Sequence, residues 1–202
     1  MLEIIAIANQ KGGVGKTTTT VNLAAALHEI GKKTLLVDLD TQGNATTACG
    51  IDKNNIRTTI YDLFLGEATM ESTMVYSEAN GFWVLPANKD LMAAEIQLLE
   101  FREREFLLKQ ILTGIDSRFD YILIDSPPSM NILTLNALAA SHSVIIPAQC
   151  EYYALEGLTG LLETINKIQE KINPRLKIKG VLRTMFDVRN SLAGEVSGQL
   201  KR

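Results

Sequence analysis

The sequence of 202 residues has little cysteine, few aromatic residues and no long apolar run. Its two cysteines, Cys49 and Cys150, lie far apart, and its N-terminus has no charged start followed by an apolar core. A disulfide framework and a secretory signal are therefore not expected. No stretch approaches the roughly 18 consecutive apolar residues of a membrane-spanning helix. We therefore predict a cytoplasmic protein.

Proline and glycine are limited to 5 and 14 residues, and we find no low-complexity tract or internal repeat. With 46% hydrophobic and 21% charged residues, the composition is that of an ordinary globular protein, which excludes disordered and fibrous classes. The length slightly exceeds that of one average domain. Residues 1–202 are therefore expected to form a single domain.

Positive charge is scarce in most of the chain and concentrated near its end. Residues 1–150 carry 11 Lys and Arg against 17 Asp and Glu, within a total net charge of −3. Residues 171–202 instead carry eight Lys and Arg against two acidic residues. A polyanion is therefore a candidate partner, and the alternative is a solvated basic face without a partner.

Alternating strand and helix patterns predict the fold. Residues 3–9 and 34–38 are aliphatic, as in strands buried on both faces, and residues 16–30 have apolar positions at helical spacing. Such a strand–helix–strand unit implies parallel strands. We predict an α/β fold with a doubly wound, mostly parallel sheet flanked by helices. Further strands are predicted at 82–86, 121–125, 143–147 and 178–184, and helices at 132–140, at 154–171, from 191 onward and over most of 58–115.

A glycine-rich segment, residues 10–18, lies between the first strand and the first helix. Glycines let consecutive backbone N–H groups surround phosphate oxygens, and the helix N-terminus adds its dipole. Lys16 would contact the β and γ phosphates, and the Thr17 hydroxyl would bind Mg²⁺. A glycine-rich turn without a ligand is the alternative, against which the two flanking strands argue. The predicted nucleotide-binding residues are Lys11, Gly12, Gly13, Val14, Gly15, Lys16, Thr17 and Thr18.

Three acidic residues lie at or just after the ends of predicted strands, at the edge where such folds bind ligands. Asp125 ends the strand 121–125 and is the candidate Walker B acid, which holds Mg²⁺ through water. Asp40 is the candidate for orienting an attacking water, and Asp38 for supporting the metal shell. The alternative is that Asp125 or Asp40 only caps the following helix.

These residues resemble the ParA/MinD family of ATPases. Residues 11–18 resemble its deviant Walker A loop, which has an additional lysine, here Lys11. Gln10 stands where the ordinary Walker A pattern has its first glycine. Because residues 149–157 are more similar to Soj-type partition proteins than to MinD, the sequence is identified as a member of the ParA/Soj group. The resemblance implies a P-loop NTPase fold. It spans nearly the whole chain, through residues 38–46, 85–88, 94–96, 121–128, 133–137 and 149–157.

The resemblance implies ATP and Mg²⁺ as cofactors and a weak intrinsic ATPase activity. In an ATP-dependent homodimer, Lys11 would contact the phosphates of the nucleotide bound to the partner subunit. Lys16 would contact the phosphates of the nucleotide bound to its own subunit. The resemblance makes Thr17 a Mg²⁺ ligand, Asp40 the aspartate needed for hydrolysis and Asp125 the Walker B acid. The predicted catalytic residues are thus Lys11, Lys16 and Asp40, and the predicted metal residues are Thr17, Asp38 and Asp125.

The resemblance also implies macromolecular partners. Family members bind double-stranded DNA without sequence preference, and a ParB-like centromere-binding protein stimulates their hydrolysis of ATP to segregate chromosome or plasmid DNA. Arg189 matches a position that contributes to DNA binding, and it lies in the basic terminal segment. Association with the nucleoid is therefore expected, and association with a membrane is not.

The sequence departs from the family pattern at several places, including Ser126, where a cysteine or threonine is frequent. Thr41 stands where a proline usually follows the switch aspartate. A C-terminal strand, an adenine-contacting segment and further helices are not in the sequence, so we expect a P-loop domain that lacks them. Three alternatives stay open: a membrane-surface ATPase of the MinD type, a non-hydrolysing module that binds nucleotide or a partner, and an iron–sulfur protein. The last is disfavoured because Cys49 and Cys150 form no close pair.

Overall fold

The computed structural model describes residues 2–115, 118–151 and 154–199. Parts of the 149–157 motif and of the basic terminal segment lie outside these ranges. The strands form one seven-stranded sheet. They are β1 (Glu3–Ile7), β2 (Thr34–Asp38), β3 (Val75–Ser77), β4 (Phe82–Leu85), β5 (Tyr121–Asp125), β6 (Ser143–Gln149) and β7 (Lys177–Thr184).

The strand order β3-β4-β2-β5-β1-β6-β7 confirms the predicted α/β fold, because every neighbouring pair is parallel except β3 with β4. Helices cover both faces, so the central strands are mostly apolar, with Asp38 and Asp125 at the carboxyl ends of β2 and β5. None of the helices in the described ranges has the length and apolar character that crossing a membrane requires. The helices are α1 (Lys16–Glu29), α2 (Asn44–Ala48), α3 (Ile60–Leu65), α4 (Met70–Thr73), α5 (Leu91–Gln97), α6 (Leu107–Ile111), α7 (Ile132–Ala140), α8 (Ala154–Lys171) and α9 (Ser191–Gln199).

The core lies in two layers, one on each face of the sheet. Along β1, Ile4 and Ala6 join the cluster beneath α3, α5, α7 and α8, whereas Ile5 and Ile7 join the cluster beneath α1 and α2. This alternation follows from the two-residue period of a strand. It explains why the aliphatic run at the N-terminus becomes a central strand.

The predicted elements differ from the structure mainly in short segments. The first strand ends at Ile7 instead of residue 9, and the side chain of Asn9 then donates to the carbonyl of Pro147 at 2.7 Å. The antiparallel strand β3 was not predicted, because three residues are too few to display a period.

The register of the central strands positions the acidic residues. Asp125 of β5 lies beside Ile7 of β1 and beside Asp38 of β2. The loop after β1 and these two carboxylates therefore meet at the carboxyl edge of the sheet. Parallel sheets of this kind bind ligands at that edge.

Candidate phosphate-binding site

A cleft of about 540 Å³ lies at the carboxyl edge of the sheet, over the start of α1. Gly13 and Gly15 have φ angles of 72° and 86°, which glycine adopts without the steric cost of a Cβ. Gly15 is the N-cap of α1, so the unpaired N–H groups of the helix start border the cleft. Of the predicted residues, those that line the cleft are Gly12, Gly13, Gly15, Lys16, Thr17, Thr18 and Asp40.

Two predicted residues of the loop, Val14 and Lys11, do not line the cleft. Val14 is buried, and its carbonyl accepts a hydrogen bond from the hydroxyl of Thr184 at 2.8 Å. Thr184 ends β7 and also lies 3.5 Å from where a Cβ of Gly15 would stand. The end of β7 therefore holds the shape of the glycine loop, a role that no sequence motif indicated.

Lys16 is held inside the loop that precedes it. Its residue surface is only 7% exposed, and its Nζ donates to the carbonyl of Lys11 at 3.0 Å. Burial lowers the pKa of Lys16, while the charges of Asp125 and Asp40 act in the opposite direction. A cation whose hydrogen-bond partner among the described residues is one carbonyl, at the start of a helix, is well placed to receive an anion.

Asp125 lies beneath the cleft and is joined to α1. Its two carboxylate oxygens accept hydrogen bonds from the hydroxyls of Thr17 at 2.7 Å and Thr20 at 3.1 Å. Burial raises the pKa of Asp125 to about 7; the charge of Asp38 adds to this and the two hydroxyls oppose it. Thr20 was missed by the sequence analysis, although its position three residues after Thr17 puts both hydroxyls on one face of α1.

Asp38 ends β2, two residues before Asp40. Its carboxylate is fully buried and accepts from the backbone N–H of Asp40 at 3.0 Å, the N–H of Thr46 at 2.8 Å and the hydroxyl of Thr46 at 2.7 Å. Burial raises the pKa of Asp38 to about 6. With these donors engaged, Asp38 fixes the turn that presents Asp40 to the cleft; Asp38 itself does not line the cleft.

The Asp40 carboxylate accepts a hydrogen bond within its own turn, but Asp40 is not the N-cap of α2. Its Oδ1 accepts from the N–H of Gln42 at 2.9 Å, whereas the N-cap of α2 is Gly43. Gly43 has a φ of 58°, and a Cβ there would lie 2.6 Å from the carbonyl of Ala87. Only glycine therefore lets the turn after Asp40 pass this close to the loop after β4.

Comparison with known proteins bears on this site. A family described as an AAA domain matches residues 2–178. The chromosome partitioning protein ParA of Caulobacter vibrioides is 47% identical over 99% of this chain and 76% of its own length. The sporulation initiation inhibitor protein Soj of Bacillus subtilis is 49% identical over 100% of this chain and 80% of its own length. The chain belongs to the ParA/Soj family of partitioning ATPases.

A solved structure extends the likeness to a nucleotide-bound state. A protein from Mycobacterium smegmatis, titled a cobyrinic acid a,c-diamide synthase with bound ADP and magnesium, is 42% identical and superposes with a TM-score of 0.95. The match covers 100% of this chain and 82% of that one. The P-loop NTPase fold expected for a ParA/Soj chain is therefore confirmed.

Lys11, assigned to the partner's phosphates by the ParA/Soj resemblance, lies outside its own cleft. Its backbone N–H donates to the side chain of Asn9 at 3.0 Å, and its ammonium forms an ion pair with Glu151, which follows β6. Both side chains of this pair are more than 40% exposed. Glu151 was not identified from the sequence, because it is far from Lys11 along the chain.

Arg189, assigned to DNA in ParA/Soj proteins, lies on the surface between β7 and α9. Its guanidinium donates from Nε to Asp187 at 3.0 Å and from Nη2 to the same carboxylate at 2.8 Å. This pairing raises the pKa of Arg189 and lowers that of Asp187. Arg189 is therefore exposed but partly neutralised by its own neighbour.

Asp125→Asn is expected to stabilise the nucleotide-free chain at pH 8. Because the pKa of Asp125 in the folded chain, about 7, exceeds its ordinary value of 3.8, the folded state binds the proton more tightly. The carboxylate therefore lowers stability increasingly as pH rises between these values. We expect the variant to gain about 1–3 kcal/mol in free energy of unfolding at pH 8 and much less near pH 4, measured by urea denaturation.

Asp52→Asn is the control for this prediction. The pKa of Asp52 is lowered, chiefly by the N–H of Asn54, so its charge favours the folded state and its removal should not stabilise the chain. Equal or lower stability of Asp125→Asn at pH 8 would contradict the expected cost of the buried carboxylate.

Proposed function

We propose that this ParA/Soj chain binds Mg²⁺–ATP in the cleft and hydrolyses it at a weak intrinsic rate. The observation that carries the proposal is the buried Lys16 at the start of α1, next to Thr17 paired with Asp125. A positive helix end, a lysine and a glycine loop match the charge and shape of a triphosphate. On binding, the Lys16 ammonium would exchange the Lys11 carbonyl for phosphate oxygens.

The residues present fit Mg²⁺, because the donors beside Lys16 are all oxygens: the Thr17 hydroxyl and the carboxylates of Asp125 and Asp40. Ser126, which follows Asp125, has a buried hydroxyl without a hydrogen-bond partner among the described residues. When bound, Mg²⁺ would neutralise charge on the β and γ phosphates. Thr17 would hold the ion directly and Asp125 would act through water, with Asp38 fixing the turn nearby.

Two residues are proposed for the hydrolysis step itself. Asp40 lines the cleft together with Lys16, and its carboxylate would accept a hydrogen bond from the attacking water. Lys11 would leave Glu151 and contact the nucleotide of a second copy in an ATP-dependent homodimer. Charge developing on the γ phosphate would then be stabilised from both subunits.

We also propose that the dimer binds double-stranded DNA without sequence preference and that a ParB-like protein stimulates hydrolysis, with the nucleoid as the site of action. The support is the basic surface of β7 and the segment after it, including Arg183 and Arg189.

Most of β7 is exposed, which supports the further proposal that a strand and helices complete the P-loop domain next to it. The partitioning relatives share higher identity with this chain than the Mycobacterium smegmatis synthase does, so a synthase activity is not proposed.

Sedimentation with Mg²⁺–ATP, with and without duplex DNA, tests this function. We expect ATP-dependent dimers that load onto DNA, and Arg189→Ala should weaken DNA binding roughly three- to tenfold without changing ATP binding. Asp187→Ala is the matched variant with the opposite expected effect. It removes the carboxylate that pairs with Arg189 and should therefore strengthen DNA binding. A chain that stays monomeric and nucleotide-free would contradict the proposal, and an unchanged DNA affinity for both variants would remove Arg189 from the interface.

A further inference from the structure

A second cavity lies away from the phosphate cleft. It has a volume of about 800 Å³ and is formed at the amino ends of β2, β4 and β5, where α1 also ends. This volume falls within the range of small-molecule sites, roughly 300–1,000 Å³. Because α1 runs from one edge of the sheet to the other, this cavity and the phosphate cleft can be occupied at the same time.

The interior of the cavity is apolar and aromatic. Phe82 and Phe119 lie at its base and are buried, whereas Tyr76 and Trp83 are each 39% exposed. Tyr76 and Trp83 are direct neighbours across β3 and β4, and their rings meet edge to face with centroids 5.4 Å apart. Exposed aromatic rings inside a concave site offer a surface that a flat apolar group would cover.

The rim of the cavity carries excess positive charge. Lys32 and Lys33 are exposed and form no ion pair with any residue in the described ranges, whereas Arg118 is paired with Glu71 at 3.0 Å. His28 completes this side, with its ring packed on Gly81 so closely that a Cβ there would lie 2.2 Å from Nε2. Unpaired cations beside an apolar surface favour a ligand that combines an apolar part with a negative charge.

We propose that this cavity binds an amphipathic organic anion. Its flat apolar body lies against Tyr76 and Trp83, and its acidic group is held by Lys32 and Lys33. The site is separate from the nucleotide site and requires neither ATP nor a dimer. A negative result here would therefore leave the proposed ATPase function untouched, and a failure of that function would leave this site untouched.

Anilinonaphthalene sulfonate is a suitable probe, because it joins a flat aromatic body to one negative charge. Trp83 is the only tryptophan of the sequence, so energy transfer from tryptophan to the bound dye reports binding near this cavity. We expect saturable, one-site transfer in the nucleotide-free chain, and the same transfer in Lys16→Ala. Trp83→Phe should remove the transfer while direct excitation still detects bound dye.

The charge requirement is tested with the double variant Lys32→Gln/Lys33→Gln. We expect its dissociation constant for the dye to rise roughly tenfold at low salt, and the difference to shrink at high salt. The matched control is Lys89→Gln/Lys109→Gln, which removes two exposed lysines outside the cavity and should bind as the parent chain does. The proposal is overturned if energy transfer is absent, if both double variants bind equally, or if uncharged phenylnaphthylamine binds as tightly as the sulfonate.

Discussion

Replacing Lys16 by alanine is expected to abolish ATP binding. The Lys16 ammonium is the buried cation of the cleft, and its one carbonyl partner is 3.0 Å away. Charge-assisted hydrogen bonds to phosphate in such a protected site are strong, so we expect the dissociation constant for Mg²⁺–ATP to rise roughly 100-fold or more. Equilibrium binding of a fluorescent ATP analogue measures this loss.

The folded chain should tolerate the same substitution. Burial lowers the pKa of Lys16, which means that the charged side chain is held at a cost to the folded state. Urea denaturation without nucleotide should therefore show little loss of stability in Lys16→Ala. Lys89→Ala, an exposed lysine after β4, is the control and should bind ATP normally. Unimpaired ATP binding in a folded Lys16→Ala chain would contradict the proposed site.

The fold was predictable because its main signals are local. The aliphatic runs of β1, β2 and β5 and the spacing of Lys16 and Thr17 are readable within short windows of sequence. The strand order and register were not predicted; the observed register places Asp125 beside Ile7, and the Thr17 hydroxyl donates to the Asp125 carboxylate at 2.7 Å. The chemistry of the cleft was therefore expected before its geometry was known.

The contacts that position these residues were not predictable in the same way. Thr184 supports the glycine loop, and Glu151 pairs with Lys11, from segments far away in sequence. Each of these partners is selected by three-dimensional proximity and has no pattern of its own. The aromatic cavity has the same origin, because the strand pattern at 82–86 does not reveal that Trp83 remains partly exposed.

The Lys11–Glu151 pair raises the question of whether Lys11 is free to cross to a second subunit. Both side chains are more than 40% exposed. Exposed ion pairs contribute about 0–1 kcal/mol, whereas a charge pair enclosed in an interface contributes several times as much when it is lost. The contact with Glu151 is therefore weak enough to be replaced by phosphate oxygens of a partner. It keeps Lys11 outside its own cleft without locking it there.

Lys11→Ala is accordingly expected to abolish ATP-dependent dimers while leaving ATP binding by the monomer nearly unchanged. Lys11 does not line its own cleft, so the contacts of Lys16, Thr17 and the glycine loop survive. The proposed dimer would instead lose a cation that faces a triphosphate in an enclosed interface, and its dissociation constant should rise roughly 100-fold or more. Analytical ultracentrifugation with Mg²⁺–ATP measures the dimer, and Lys89→Ala is again the matched control. If dimers persist unchanged in Lys11→Ala, the lysine does not act across an interface; if ATP binding is lost instead, Lys11 serves its own nucleotide.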